Sequence, residues 1–137
     1  MTKLASVLLV DDDSTTNYLN KLLLNRLGVT EQLLVAENGR EALATLAQAF
    51  PGPGGPTLLL LDINMPVMNG IEFLEAYQQL PPAQRHATVI VLLTTSVHPR
   101  DLAHVQTMPI VGALDKPLTE TKVRSLLAQH FPAVAAS

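Results

Sequence analysis

Apolar residues recur along this chain with two different spacings, and the two alternate. Short apolar runs stand at Val7–Val10, Gln32–Ala36, Leu58–Leu61, Thr88–Leu93 and Ile110–Leu114. Runs of this length, closed by acids, hydroxyls or turn residues, fit strands buried on both faces, as in a parallel sheet. Between them the spacing changes to three and four. Leu19, Leu23 and Leu27 mark one face of a helix predicted from Ser14 to Leu27 and stopped by Gly28, with Tyr18 and Leu22 expected at the core margin. After the turn Glu37-Asn38-Gly39, Ala42, Leu43, Leu46 and Ala47 share a face of a helix from Arg40 to Phe50. A third helix, Gly70 to Leu80, is expected to bury Ile71, Phe73, Leu74 and Tyr77 before Pro81-Pro82 ends it. Pro99 to Gln106 reads as a short, weak helix. The last helix takes Thr119 as N-cap, Glu120 in its first turn and Val123, Leu126 and Leu127 as its apolar face, with Leu118 and Val123 at hydrophobic-staple spacing. Phe131-Pro132 ends it, and Ala133 to Ser137 is expected to be a loose tail.

Five alternations of strand and helix predict an α/β fold: a doubly wound, five-stranded parallel sheet with right-handed crossovers. Pro51-Gly52-Pro53-Gly54-Gly55-Pro56 contains only chain breakers. It reads as a surface loop, because the strands before it would lack partners if it were an interdomain linker. The 137 residues make one domain, residues 1–131, followed by a short tail from 132 to 137.

Composition narrows the function. The chain has no cysteine, which excludes a disulfide framework and a thiolate metal site. A net charge of −3 without a basic cluster offers no direct nucleic-acid surface. No apolar run reaches membrane-span length, and the first one meets acids too early for a signal peptide, so a cytoplasmic location without membrane insertion is expected.

The candidate chemistry lies just past the strand ends. The first run gives Asp11, Asp12 and Asp13; the third gives Asp62; the fourth gives Thr94; the fifth gives Lys116. A lone Asp62 could cap the helix after it, but in a parallel sheet these ends share one edge, where open α/β sheets bind ligands. Carboxylates meeting there repel: at about 4 Å and an effective dielectric near 20, each pair costs on the order of 4 kcal/mol. Either their pKa values rise or a cation sits among them. Oxygen ligands at a partly open site suit Mg²⁺. A hydroxyl and an ammonium beside them suit a further group with negative oxygens, that is, a phosphoryl group. Asp13 fits a cap for the first helix, shared with Ser14, better than a metal ligand. His86, His98, His104 and His130 have no metal spacing, and Met65 and Met68 read as packing.

The set Val10-Asp11-Asp12, Leu61-Asp62-Ile63-Asn64-Met65-Pro66 with Met68 and Gly70, Leu93-Thr94, and Asp115-Lys116-Pro117 resembles the receiver domain of two-component response regulators, from Val7 to about His130. The resemblance is to the stand-alone, chemotaxis-regulator-like form without an attached output domain. It implies a flavodoxin-like (βα)5 fold with strand order 2-1-3-4-5. It further implies that Asp62 is the phosphoacceptor, and that Asp11, Asp12, Asp62 and the backbone carbonyl of Asn64 hold Mg²⁺, Asp12 directly and Asp11 mainly through water. Thr94 and Lys116 would contact the phosphoryl oxygens, and the Lys116–Pro117 bond would be cis. Asn64 and Ser96 stand at positions that tune phosphoryl lifetime in the family. The implied partners are a sensor histidine kinase or a histidine phosphotransfer protein and a downstream protein. The implied role is signalling rather than enzymatic, apart from promotion of its own phosphorylation and slow dephosphorylation.

One departure bears on output. The family usually carries Tyr or Phe three residues before the lysine, and this chain has Ala113. That motivates an alternative, a pseudo-receiver that binds partners unphosphorylated. A second alternative comes from Asp11-Asp12-Asp13-Ser14-Thr15, which also fits the signature of haloacid-dehalogenase-like phosphatases with Asp11 as nucleophile. It leaves Asp62 and its turn unexplained, and no acidic pair follows Lys116.

Overall fold

The computed structural model describes residues 3–49, 57–81, 88–94, 103 and 107–135, with only the backbone at 48, 49 and 94. The apolar runs form β1 (Leu4–Val10), β2 (Thr30–Ala36), β3 (Thr57–Leu61), β4 (Thr88–Thr94) and β5 (Gly112–Asp115). They pair in parallel in the order β2-β1-β3-β4-β5. The described helices are α1 (Ser14–Leu27), α2 (Gly39–Ala49), α3 (Gly70–Gln78), α4 (Glu120–His130) and α5 (Pro132–Ala135).

Every residue of β3 is buried, which is why that run reads as leucine without alternation. Its alternate side chains serve two cores. Leu59 and Leu61 join Leu8, Val10, Leu46, Phe73 and Leu74 on the face covered by α2 and α3. Leu58 and Leu60 join Leu9, Leu24, Val123 and Leu127 on the face covered by α1 and α4. This division of helices is what right-handed connections require when the chain leaves β1 in one direction and later crosses back.

Several expectations shift. The Leu19–Leu23–Leu27 stripe is only part of the buried face of α1: Leu23 and Leu27 pack against the core, but Leu19 is 57% exposed, and the buried residues are Asn17, Asn20 and Leu24. Tyr18 and Leu22, expected at the core margin, are 57% and 51% exposed. The rotation of α1 follows from its first turn. Asp13 caps it, and the Asn17 amide hydrogen-bonds the Asp11 carbonyl, which turns the asparagine face inward. In α2, Ala42 and Leu46 are buried and Leu43 packs against them, but Ala47 is exposed. β5 begins two residues later than expected, because Ile110 N–H is taken by Met108 O at 2.8 Å in a turn. The expected loose tail is ordered through residue 135: α5 buries Val134, and Phe131 is buried before it. The weak helix expected from Pro99 to Gln106 and the Pro/Gly segment 51–56 lie outside the described residues, the single position 103 excepted.

Two glycines separate backbone strain from space. An added Cβ would meet nothing within 4 Å at Gly28 or at Gly112, yet Gly28 holds φ +63°, closing α1 with bonds to Leu24 and Asn25 carbonyls. Gly112 lies in β5 beside a cavity of about 210 Å³ lined in part by Val91, Leu114, Leu126 and His130. Chemical denaturation should therefore give opposite signs. Gly112→Ala is expected to stabilise by about 0.4–1 kcal/mol, and Gly28→Ala to destabilise by about 1 kcal/mol or more.

Candidate functional site

The parallel ladder runs one residue beyond the strands. Asp62 N–H donates to Val10 O at 2.9 Å, and Asp11 N–H donates to Ala36 O at 3.1 Å. These bonds set two acids side by side where the strand order reverses between β1 and β3, the crevice at which open α/β sheets bind ligands. Both are buried, whereas Asp12 is exposed. One carboxylate oxygen from each of Asp11, Asp12 and Asp62 lies within 4.8 Å of the others. Three such oxygens form a donor set for a hard divalent cation.

Lys116 follows β5 and reaches across the sheet edge to them. Its Nζ donates to Asp11 Oδ2 at 2.6 Å and stands 3.7 Å from Asp62 Oδ2. The other Asp11 oxygen accepts Asp13 N–H at 2.9 Å. Lys116–Pro117 is cis, as the resemblance implied. Lys122, in the first turn of α4, donates from Nζ to Asp115 O at 2.7 Å and Pro117 O at 3.0 Å, bracketing Lys116. Thr94 ends β4 and pairs with Asp115 in the ladder; its side chain is outside the described atoms, as is Ser96.

The loop after Asp62 is held by close approach. Gly70 N–H donates to Ile63 O at 2.8 Å, and a Cβ on Gly70 would stand 2.6 Å from Asp62 O. Met68 O accepts Gly39 N–H at 2.9 Å, tying the loop to α2, and Met65 and Met68 pack against the core as expected. Val67 is exposed at φ 68°, a left-handed conformation that strains a β-branched residue. Asn69 and Glu72 form a capping box that starts α3.

The charges perturb one another. Burial pushes the Asp62 carboxyl above its ordinary range; the Asp11 charge adds to this, and Lys116 and the Asn64 N–H partly offset it. Burial opposes the charge on Lys116, but its hydrogen bond to Asp11 and the Asp11, Asp62 and Asp12 charges outweigh that and raise its pKa. Asp13 is different. It caps α1 by accepting Thr15 and Thr16 N–H, and bonds from Thr16 and Thr15 lower its pKa.

The structure thus brings Asp11, Asp12, Asp62 and Lys116 together, with the backbone of Asn64 against Asp62 and that of Thr94 beside Asp115. Of the histidines only His130 is described, at the end of α4, away from the acids. Sequence reasoning missed Asn17 and Lys122. Asn17, Asn20 and Leu24 have helical-face spacing, legible only if asparagine is allowed to be buried. Lys122 sits where a cation opposes the helix dipole, which is itself a signal of another use.

A doubly wound parallel sheet with acids and a lysine gathered at its carboxyl edge defines an open α/β domain whose ligand site lies at the switch point. The response regulator receiver domain model matches residues 7–128, and the chain belongs to that family. It is 30% identical over 122 residues to two-component response regulator 24 of Arabidopsis thaliana, covering 89% of this chain and 81% of that protein. It is 32% identical to response regulator Rcp1 of a Synechocystis strain, over 70% of this chain and 65% of that one. It spans only 13% of the autoinducer 1 sensor kinase/phosphatase LuxN of Vibrio campbellii, at 33% identity. A two-component response regulator of Cytophaga hutchinsonii superposes with a TM-score of 0.80 at 28% identity, covering 98% of this chain and 99% of that one. Chemotaxis protein CheY4 of Vibrio cholerae superposes at 0.73 with 30% identity, covering 92% and 98%.

Two outcomes follow from this geometry. Gly70→Ala forces a methyl against the Asp62 carbonyl and should cost about 2 kcal/mol in denaturant unfolding. Asp62 has a folded pKa above its unfolded value, so its charge costs stability as pH rises above about 4. Asp62→Asn should therefore be more stable than wild type at pH 7, with the gap closing as pH falls toward 4. An unfolding series across that range checks the sign.

Proposed function

We propose that this chain is a phosphoacceptor response regulator. Asp62 takes a phosphoryl group from a phosphohistidine on a sensor histidine kinase or histidine phosphotransfer protein. The observation that carries this reading is the placement of Lys116 Nζ within 4 Å of both Asp11 and Asp62 carboxylates, in the same cluster as Asp12. An Asp62 oxygen forms the new bond to phosphorus as the phosphorus–nitrogen bond breaks, and the imidazole nitrogen leaves with the electron pair. Lys116 is already charged and is closer to Asp11 than to Asp62, so a short shift carries it to the phosphoryl oxygens. Thr94, next to Asp115 in the ladder, is assigned to contact the same oxygens. Asp11, Asp12, Asp62 and the Asn64 carbonyl would hold Mg²⁺, whose charge, when bound, offsets that of the transferring group.

The aspartyl phosphate adds charge and acceptor oxygens at one buried point, and that local change is the signal. Output runs through contact with a downstream protein or onward relay. The reading places the chain in the cytoplasm, where such donors present their histidines; no described helix is long and apolar enough to cross a membrane. Against a phosphatase that uses Asp11, that reading gives no role to Asp62, which is buried in the same cluster and within 4 Å of Lys116 Nζ. The pseudo-receiver reading keeps one observation in its favour: Ala113 is exposed and presents no ring to move inward.

The test is intact-mass analysis after incubation with acetyl phosphate and Mg²⁺. Wild type should gain one phosphoryl group, Asp62→Asn none, and omission of Mg²⁺ should abolish uptake. Lys116→Met should slow uptake by about 10²–10³-fold. Uptake that survives in Asp62→Asn and vanishes in Asp11→Asn would transfer the assignment to the phosphatase reading, and no uptake in wild type would favour the pseudo-receiver.

A further inference from the structure

The buried face of α1 beside the acids is polar where an aliphatic residue would pack. Asn17 is 4% and Asn20 7% exposed, and both line a narrow space with Asp11 and Asp62 whose other walls include Leu9, Leu60 and Leu93. Buried amides among leucines cost stability unless each polar atom is paired. Asn17 is half paired. Its Nδ2 donates to the Asp11 main-chain carbonyl at 2.8 Å, while its Oδ1 is buried with no hydrogen-bond partner among the described residues. An orphaned buried acceptor calls for a reason beyond packing.

We propose that Asn17 is a positioning residue for the acidic cluster, setting Asp11 for the divalent cation that the functional reading places there; the inference rests on that reading. The bond from Nδ2 fixes the Asp11 main chain from beneath, while Asp13 N–H and Lys116 fix its carboxylate from above. Held from both sides, Asp11 keeps its place beside Asp62 and Asp12 despite their mutual repulsion. Asn20 shares the space and makes no bond to Asp11, which makes it the natural control.

The experiment is calorimetric Mg²⁺ titration of the full chain, without any phosphoryl donor, for wild type, Asn17→Leu and Asn20→Leu, with the thermal midpoint of each. Asn17→Leu should weaken Mg²⁺ binding by roughly tenfold, the scale seen when a group orienting a metal ligand is lost. Asn20→Leu should bind as wild type does. Equal affinity in wild type and Asn17→Leu, or equal weakening in both variants, overturns the inference and reduces Asn17 to packing. Wild type that binds no Mg²⁺ removes the functional reading itself, a distinct outcome. If Asn17→Leu does not fold, the wild-type side-chain amide of Asn17 decides by NMR. Exchange protection and a shift that saturates with Mg²⁺ support the role, and a signal unmoved by Mg²⁺ ends it.

Discussion

Two acids sit next to each other inside this protein because the ladder between β1 and β3 does not stop where the strands do. The bond from Asp62 N–H to Val10 O places a second carboxylate beside Asp11 before either chain can turn away. Everything else at this edge answers that enforced proximity. Lys116 is drawn across the sheet to Asp11, the Asp62 carboxyl is pushed toward its neutral form, and Asp12 is left at the surface. The fold does not choose this arrangement for stability, since like charges at such range oppose folding. A cation among these oxygens would offset that repulsion, and carboxylates perturbed in this way mark a candidate site rather than a structural pairing.

The surrounding contacts show how firmly that arrangement is held. Gly70 lets the chain after Asp62 fold back within reach of Ile63 O, Met68 fastens the same loop to α2, and Val67 keeps a left-handed turn there. Asn17 secures the first loop and Lys122 the fifth. Each device acts on the main chain rather than on a reacting atom. The charged side chains meet above this frame, and Lys116 stands 2.6 Å from Asp11 and 3.7 Å from Asp62. A fixed backbone that sets an ammonium between two carboxylates is suited to registering the arrival of negative oxygens.

The site was more legible than the helices. Asp11, Asp62 and Lys116 could be placed from the sequence because each follows an apolar run, and a parallel sheet sends all such positions to one edge. The cap role of Asp13 was legible for a similar reason, since a short acid before a helix has few better uses. The rotation of α1 was not. Three leucines at 22 to 24 satisfy more than one helical face, and the decision fell to Asn17, whose bond to Asp11 lies outside any periodicity. Apolar pattern treats asparagine as a surface residue, so a face built of Asn17, Asn20 and Leu24 cannot be found by it. The start of β5 was misjudged for a local reason: Val111 N–H still reaches Ile90 O across to β4, but Ile110 N–H is spent on Met108 O in a turn and cannot join the ladder.

These observations place the two ends of the site on unequal footing. Asp11 and Asp62 rise from β1 and β3, which are central in the sheet and walled by leucine on both faces. Lys116 rises from β5, a four-residue edge strand that contains a glycine and borders a cavity. Local stability follows contact density, so displacement is cheaper on the β5 side than among the acids. If Lys116 changes partner, the loop that carries it is the element least able to resist, and Lys122 ties that loop to both β5 and the first turn of α4. Movement would therefore pass along the edge of the sheet and into α4 through backbone carbonyls. That route needs no aromatic side chain at residue 113.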